Sequence, residues 1–341
     1  MSEKIIIRDE FLDLSHKKLK NLDEIKNIKN LSMLKELDLK CNDISVLNDL
    51  SFLENVTHLW LGLNKISKLG DLGYLPNLRV LDLSCNNITK ISGLDSLENL
   101  KELRLEGNQI SEIDGLNNLK NLKILDLSGN LIRKIKGFDS LINLRFLNLD
   151  NNRIREVTNM ENLSKLIQLT LDDNYIKDIT GLRPLGNLIT LRLASNYISN
   201  IEPLKHLKSL EEVELYGNND ITSIKPLLNL PHLLVVGLDE KEKFPHDFAL
   251  LDIKRLNMAR EFFMNYVPKC RVCEHFDLER CSCIYFIGHQ KYQFKRKYPN
   301  SFKGSYADRI FYDEDINYKH LHTFNKVRDE IPHSCNISPE E

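Results

Sequence analysis

The sequence has no apolar run near the roughly 18–20 residues that would span a bilayer. Its start, MSEKIIIRDE, holds three apolar residues between charges, too few for the core of a secretory signal. An excess of one charge is missing too. Forty-seven Lys and Arg against 49 Asp and Glu leave a net charge of −2, which excludes a surface that coats nucleic acid throughout. Cysteine is sparse at seven in 341 residues, far below a disulfide-stapled secreted scaffold. No glycine-rich phosphate loop occurs. These absences lead us to expect a cytoplasmic or nuclear protein with reduced thiols. With 42% hydrophobic and 28% charged residues, the chain has enough apolar content to fold.

What is present is repetition. LDLKCNDI (37–44), LWLGLNKI (59–66), LDLSCNNI (81–88), LRLEGNQI (103–110) and LDLSGNLI (125–132) are variants of one string. LNLDNNRI (147–154), LTLDDNYI (169–176) and LRLASNYI (191–198) continue it. Asn42, Asn64, Asn86, Asn108, Asn130, Asn152, Asn174, Asn196 and Asn218 recur every 22 residues. A fixed period of this length marks a stacked repeat. In L-x-L both leucines point inward from a short strand and the residue between them points out. One unit cannot bury its own stripe, so neighbours stack and share a core. An asparagine amide carries donors and an acceptor, so a column of them can satisfy backbone groups from coil to coil. Leu94, Leu97 and Leu100 recur every third residue, which suits a short helical or 3₁₀ turn on the outer side. Gly93, Gly115, Gly137 and Gly181 share a turn column with Asn159 and Pro203. Lys17 and Lys241 stand at the asparagine position in the two end units, and one extra residue follows Asn218.

The unit L-x-x-L-x-x-L-x-L-x-x-N-x-I-x-x-I-x-x-L, plain in LRVLDLSCNNITKISGLDSLENL (78–100), resembles the short leucine-rich repeat subclass typified by the nuclear regulatory subunit of protein phosphatase 1. The resemblance covers about residues 12–240. It implies an α/β solenoid: an arc of about eleven short parallel strands with a 3₁₀ or helical outer side. Strands roughly 4.8 Å apart give an arc of roughly 50 Å. In the phosphatase regulator, acidic and aromatic residues on the concave face grip the enzyme. The resemblance therefore implies a non-enzymatic scaffold that binds a protein on that face.

The outward strand positions supply the candidate contacts: Trp60, Asp82, Arg104, Asp126, Phe146, Arg192 and Tyr216. Trp60 is the single tryptophan of the chain, and core packing requires neither it nor Phe146 at an outward position. Trp, Tyr and Arg dominate interface energetics. Acids outnumber bases on this face, so a partly basic partner is expected. His58 lies one strand from Asp82, but no nucleophile accompanies them, and no column forms a catalytic constellation.

The repeat ends near residue 243, and residues 244–341 form a second region expected to be a small α+β or irregular cap. Residues 247–267 read as an amphipathic helix, with Asp247 as cap and Leu250, Ile253, Leu256, Phe263 and Tyr266 at helical spacing. It would cover the open end of the last coil. Cys270, Cys273, Cys281 and Cys283 could close a tetrahedral, structural zinc site, with His275 and His289 as substitutes; packing thiols are the alternative. From 280 to 307 there is no Asp or Glu. Arg280, Lys291, Lys295, Arg296, Lys297 and Lys303 alternate there with aromatic residues. This segment reads either as a small domain with an aromatic core or, in an alternative function, as the nucleic-acid-binding part of an adaptor.

Overall fold

The computed structural model describes residues 10–47, 49–218 and 220–238. They form one parallel sheet of eleven strands in sequence order. The strands are β1 (Phe11–Asp13), β2 (Glu36–Asp38), β3 (His58–Trp60), β4 (Val80–Asp82), β5 (Glu102–Arg104) and β6 (Ile124–Asp126). Then follow β7 (Phe146–Asn148), β8 (Gln168–Thr170), β9 (Thr190–Arg192), β10 (Glu212–Glu214) and β11 (Val235–Gly237). Each strand is only three residues long because the chain must turn inward at the following asparagine. The middle residue of every strand from Leu37 to Val213 is sealed in a leucine and isoleucine core that runs the length of the stack. Register follows the repeat: Leu59 pairs with Leu81 and Leu103 with Leu125, 22 residues apart. The steps differ only at the ends, where Leu12 pairs with Leu37 and Val213 with Val236. The extra residue after Asn218 is thus absorbed outside the sheet.

The asparagine column works as the amide chemistry requires. Asn86 donates through Nδ2 to Leu83 O (3.1 Å) in its own coil and to Leu61 O (3.0 Å) in the preceding coil, and its Oδ1 accepts from Ile66 N (2.9 Å). All nine are buried, at 4–8% exposure. At the first coil Lys17 N donates to Asn42 Oδ1 (2.9 Å), so the ladder begins there on a backbone group.

The outer side is less helical than the leucine spacing suggests. It consists mainly of plain turns, with 3₁₀ segments at Leu22–Glu24, Leu31–Met33, Ser51–Leu53, Thr180–Leu182 and Glu202–His206, and one helical turn at Lys225–Leu228. The turn column also divides. Gly93, Gly115, Gly137 and Asn159 have left-handed φ, whereas Gly181 and Pro203 lie inside 3₁₀ segments. At Gly93 a Cβ would stand 1.7 Å from the carbonyl oxygen of Gly70, so that approach requires glycine. The region 244–341, including the helix expected over 247–267, lies outside the described residues. Among the described residues, no helix is long and apolar enough to cross a membrane.

Candidate functional site

Because each strand turns its first and third residues and the residue two further on to the outward side of the sheet, that face is three columns wide and one coil repeats the next. From Glu36 to Tyr216 these columns hold ten acids: Glu36, Asp38, Asp82, Glu102, Glu106, Asp126, Asp150, Asp172, Glu212 and Glu214. Against them stand three permanent cations: Lys40, Arg104 and Arg192. With every acid ionised the face has a formal charge of 3 − 10 = −7 in a chain whose formal net charge is −2, leaving +5 for all other residues.

The charges are organised around the two arginines. Arg104 Nε donates to Glu102 on its own strand. Arg192 bridges coils, with Nε 2.7 Å from Asp172 Oδ2 and Nη2 3.2 Å from Glu214 Oε2. Between these centres runs a chain of side-chain bonds. Ser128 Oγ donates to Asp126 (2.7 Å), Asn148 Nδ2 donates to Asp126 Oδ2 (3.0 Å), and Thr170 Oγ1 donates to Asn148 Oδ1 (2.7 Å). Three carboxylates hold their protons more tightly than usual. Burial, reinforced by Asp126 and Asp82, pushes Glu106 up to about 8. Burial and then Asp172 push Asp150 up to about 7, and burial raises Asp126. Glu106 Oε2 is buried and has no hydrogen-bond partner among the described residues. An uncompensated buried carboxylate favours its neutral form.

The expected contact residues all stand on this face, in different states. Trp60 requires a correction: it is only 5% exposed. His58 stacks on it at 5.8 Å, Phe11 meets it edge-on at 6.4 Å, and Lys40 Nζ lies 5.8 Å from its centroid. The exposed aromatic of that group is Phe11, at 48%. Its outward position before Leu12, in the first strand, is the signal in the sequence that marks it. Asp82 is also buried, accepting from Ser84 N and Oγ. Asp126 and Phe146 are half-buried, as are Arg104 and Arg192, and Phe146 lies beside buried Ile124 in register. Tyr216 is 38% exposed. Its ring lies over Gly237, where a Cβ would come within 2.3 Å of it. His58 Nδ1 lies 2.9 Å from Thr57 Oγ1 and 3.8 Å from a Glu36 oxygen. Cys270, Cys273, Cys281 and Cys283 lie outside the described residues. Among the described residues no group of three or more His, Cys, Asp or Glu is placed to hold a metal ion.

A continuous sheet face presented by a stack of similar coils defines a repeat protein of solenoid class. The chain belongs to the leucine-rich repeat family. The profile of two-copy leucine-rich repeats matches residues 54–96, 98–140 and 186–229, and the single-repeat profile matches 30–46. Among solved structures, an internalin C2 from Listeria monocytogenes is 34% identical, covering 55% of this chain and 83% of that one, with a TM-score of 0.53. A second internalin from the same organism is 28% identical over 67% of each chain, with a TM-score of 0.62. A leucine-rich repeat protein of Leptospira interrogans is 26% identical, covering 69% of this chain and 58% of that one, with a TM-score of 0.58. No curated protein matches the sequence.

Proposed function

We propose that this protein is a non-enzymatic scaffold that binds a partner protein on the sheet face, the concave side of the arc. Leucine-rich repeat proteins generally act as protein-interaction scaffolds, and this chain belongs to them. The observation that carries the reading is the excess of ten acids over three permanent cations on one regular face, which stays acidic even with Glu106 protonated, with a half-buried Phe146 and an accessible Tyr216 set into it. The partner would offer a basic surface with an apolar residue for Phe146. Arg104 and Arg192 act in this reading as organisers of the acids around them, and Trp60 as the support of the first three strands. A phosphatase catalytic subunit is the partner that the 22-residue unit suggests. The reading places the protein in the cytoplasm or nucleus.

Partner capture from native extract, with the full chain beside the full chain carrying Phe146→Ala and Tyr216→Ala, tests it. Loss of one retained protein from the double variant supports the face, and identical capture by both sinks it. A phosphatase catalytic subunit among the lost proteins would select the regulator version. The acid-free stretch 280–307 favours a second reading, the nucleic-acid-linked adaptor. A salt-sensitive gel shift that survives removal of residues 1–243 would select that one. In either reading Cys270, Cys273, Cys281 and Cys283 are proposed to hold one structural zinc. Identical proteolysis of the last hundred residues with and without chelator would argue against the metal.

A further inference from the structure

The acids of the sheet face have a counterpart on the adjoining edge, where the chain leaves each ladder asparagine. There, in N-x-I-x, the asparagine and isoleucine turn inward and the other two residues turn out. Backbone bonds hold these residues one coil apart: Arg153 N donates to Ile132 O (2.8 Å), Tyr175 N to Ile154 O (2.8 Å), Lys177 N to Arg155 O (3.0 Å) and Tyr197 N to Ile176 O (2.9 Å). In the early coils the outward positions are Asp43, Lys65, Asn87, Gln109 and small hydroxyl residues. The single cation there, Lys65, is already paired with Asp43 at 2.6 Å. Further along, the composition changes. Arg133, Arg153, Arg155 and Lys177 occupy these positions, all exposed, and none makes an ion pair among the described residues. Beside them Tyr175 and Tyr197, 49% and 54% exposed, lie parallel within 9° with centroids 6.1 Å apart.

Four free cations and a flat, exposed aromatic pair are held within three coil steps, roughly 14 Å at the spacing of neighbouring strands. An acidic peptide would use the cations and leave the tyrosine faces idle. A ligand with regularly spaced anions and planar rings uses both, which is the chemistry of a single-stranded nucleic acid. Asp173, Glu156 and Asp178 flank the patch and limit it to these six side chains. We propose that this edge, formed by Arg133, Arg153, Arg155, Tyr175, Lys177 and Tyr197, binds a short single-stranded nucleic acid through phosphate pairing and base stacking. The site is separate from the protein-binding face and does not depend on it.

The test is fluorescence anisotropy of a labelled eight-nucleotide oligouridylate titrated with the full chain over a salt series. Four phosphate contacts give a slope of about −3 in log K against log salt. Arg153→Gln with Arg155→Gln should weaken binding and flatten the slope by about 1.4. Tyr175→Ala with Tyr197→Ala should lower affinity roughly ten-fold or more while leaving the slope unchanged, and phenylalanine at both positions should restore it. All these side chains are exposed, so unchanged thermal unfolding of each variant is expected and checks the fold. Absence of saturable binding at low salt overturns the proposal. So does binding indifferent to all four substitutions, which would place it elsewhere in the chain. Equal, tyrosine-independent binding of an octaglutamate peptide would assign the edge to acidic peptides instead.

Discussion

Two asparagine columns run along the described coils, and they behave differently. The inner one, Asn42 to Asn218, is buried, and each amide joins its own coil to the one before. The outer one comprises Asn55, Asn77, Asn99, Asn121, Asn143 and Asn187. It has the same 22-residue period, and each Nδ2 also reaches one coil back, to a carbonyl at 2.8–3.1 Å. Asn77, Asn99, Asn121 and Asn187 of the outer column are exposed, and Asn55 and Asn143 are half-buried. The same residue, with the same donor geometry, thus sits where water can and cannot replace it. A hydrogen bond exchanged for water is worth little, whereas a buried group left without its partner costs its full desolvation. The comparison teaches that the period alone does not identify the asparagines that hold the stack together.

The sharpest break of this comparison is Asn130→Ala. It removes bonds to Leu105 O (3.0 Å), Leu127 O (3.0 Å) and Ser128 O (3.1 Å), and strands Ile110 N, which donates to Oδ1 at 2.9 Å. We expect a loss of roughly 3–5 kcal/mol in denaturant unfolding. A loss below about 1 kcal/mol would mean that water enters the ladder.

Glu106 isolates the other variable, since the residue is half-buried but its Oε2 is sealed from solvent and lacks a partner among the described residues. Its folded pKa, pushed up to about 8 from 4.5, means that the native state keeps a proton the unfolded chain has released. Stability should therefore be full below the unfolded value and fall as pH rises towards 8. Glu106→Gln keeps the shape and removes the titration. It should raise stability at pH 8, by up to about 4 kcal/mol, and change little at pH 4. An equal effect at both pH values would deny that the proton matters.

Much of this architecture was legible in the sequence. The strand positions, the eleven-strand count, the inner ladder and the irregular end steps all follow from a strict period acting on leucine and asparagine. What was not legible depends on backbone conformation or on neighbours in space. The residue before each ladder asparagine is left-handed in all nine coils, yet it is Cys41, Leu63, Cys85, Gly107, Gly129, Asn151, Asp173, Ser195 or Gly217. Only three of these are the glycine that usually signals such a turn, so no single residue type marked the column. Trp60 looked exposed because strand alternation gives direction and not cover; Phe11, His58 and Lys40 supply the cover. The outer ladder was hidden because Asn-Leu before a strand also reads as an ordinary turn.

That left-handed column offers a smaller test. Leu63 adopts φ +59° with 54% of its surface exposed, a conformation that costs a branched residue about 1–2 kcal/mol. Leu63→Asn should therefore stabilise the protein by about 1 kcal/mol, since asparagine tolerates this region and little burial is lost. Destabilisation instead would show that Leu63 contributes packing that outweighs its strain.

The smallest expected effect carries the most information about the two columns. Asn121→Ala removes one bond, Nδ2 to Glu98 O at 2.9 Å, in an exposed turn. Water can take over the Glu98 carbonyl, so the loss should be about 0.5 kcal/mol. The neighbouring positions sharpen the expectation. The column already admits lysine at 165, whose Nζ instead reaches Asn143 Oδ1 at 2.6 Å, so the outer contact tolerates different chemistry without breaking the stack. The decisive quantity is the ratio between Asn130→Ala and Asn121→Ala in the same denaturant titration. A ratio near ten places the stacking energy in the buried amides. A ratio near one would mean that the outer turns couple the coils as strongly as the core does, and that burial is the wrong variable.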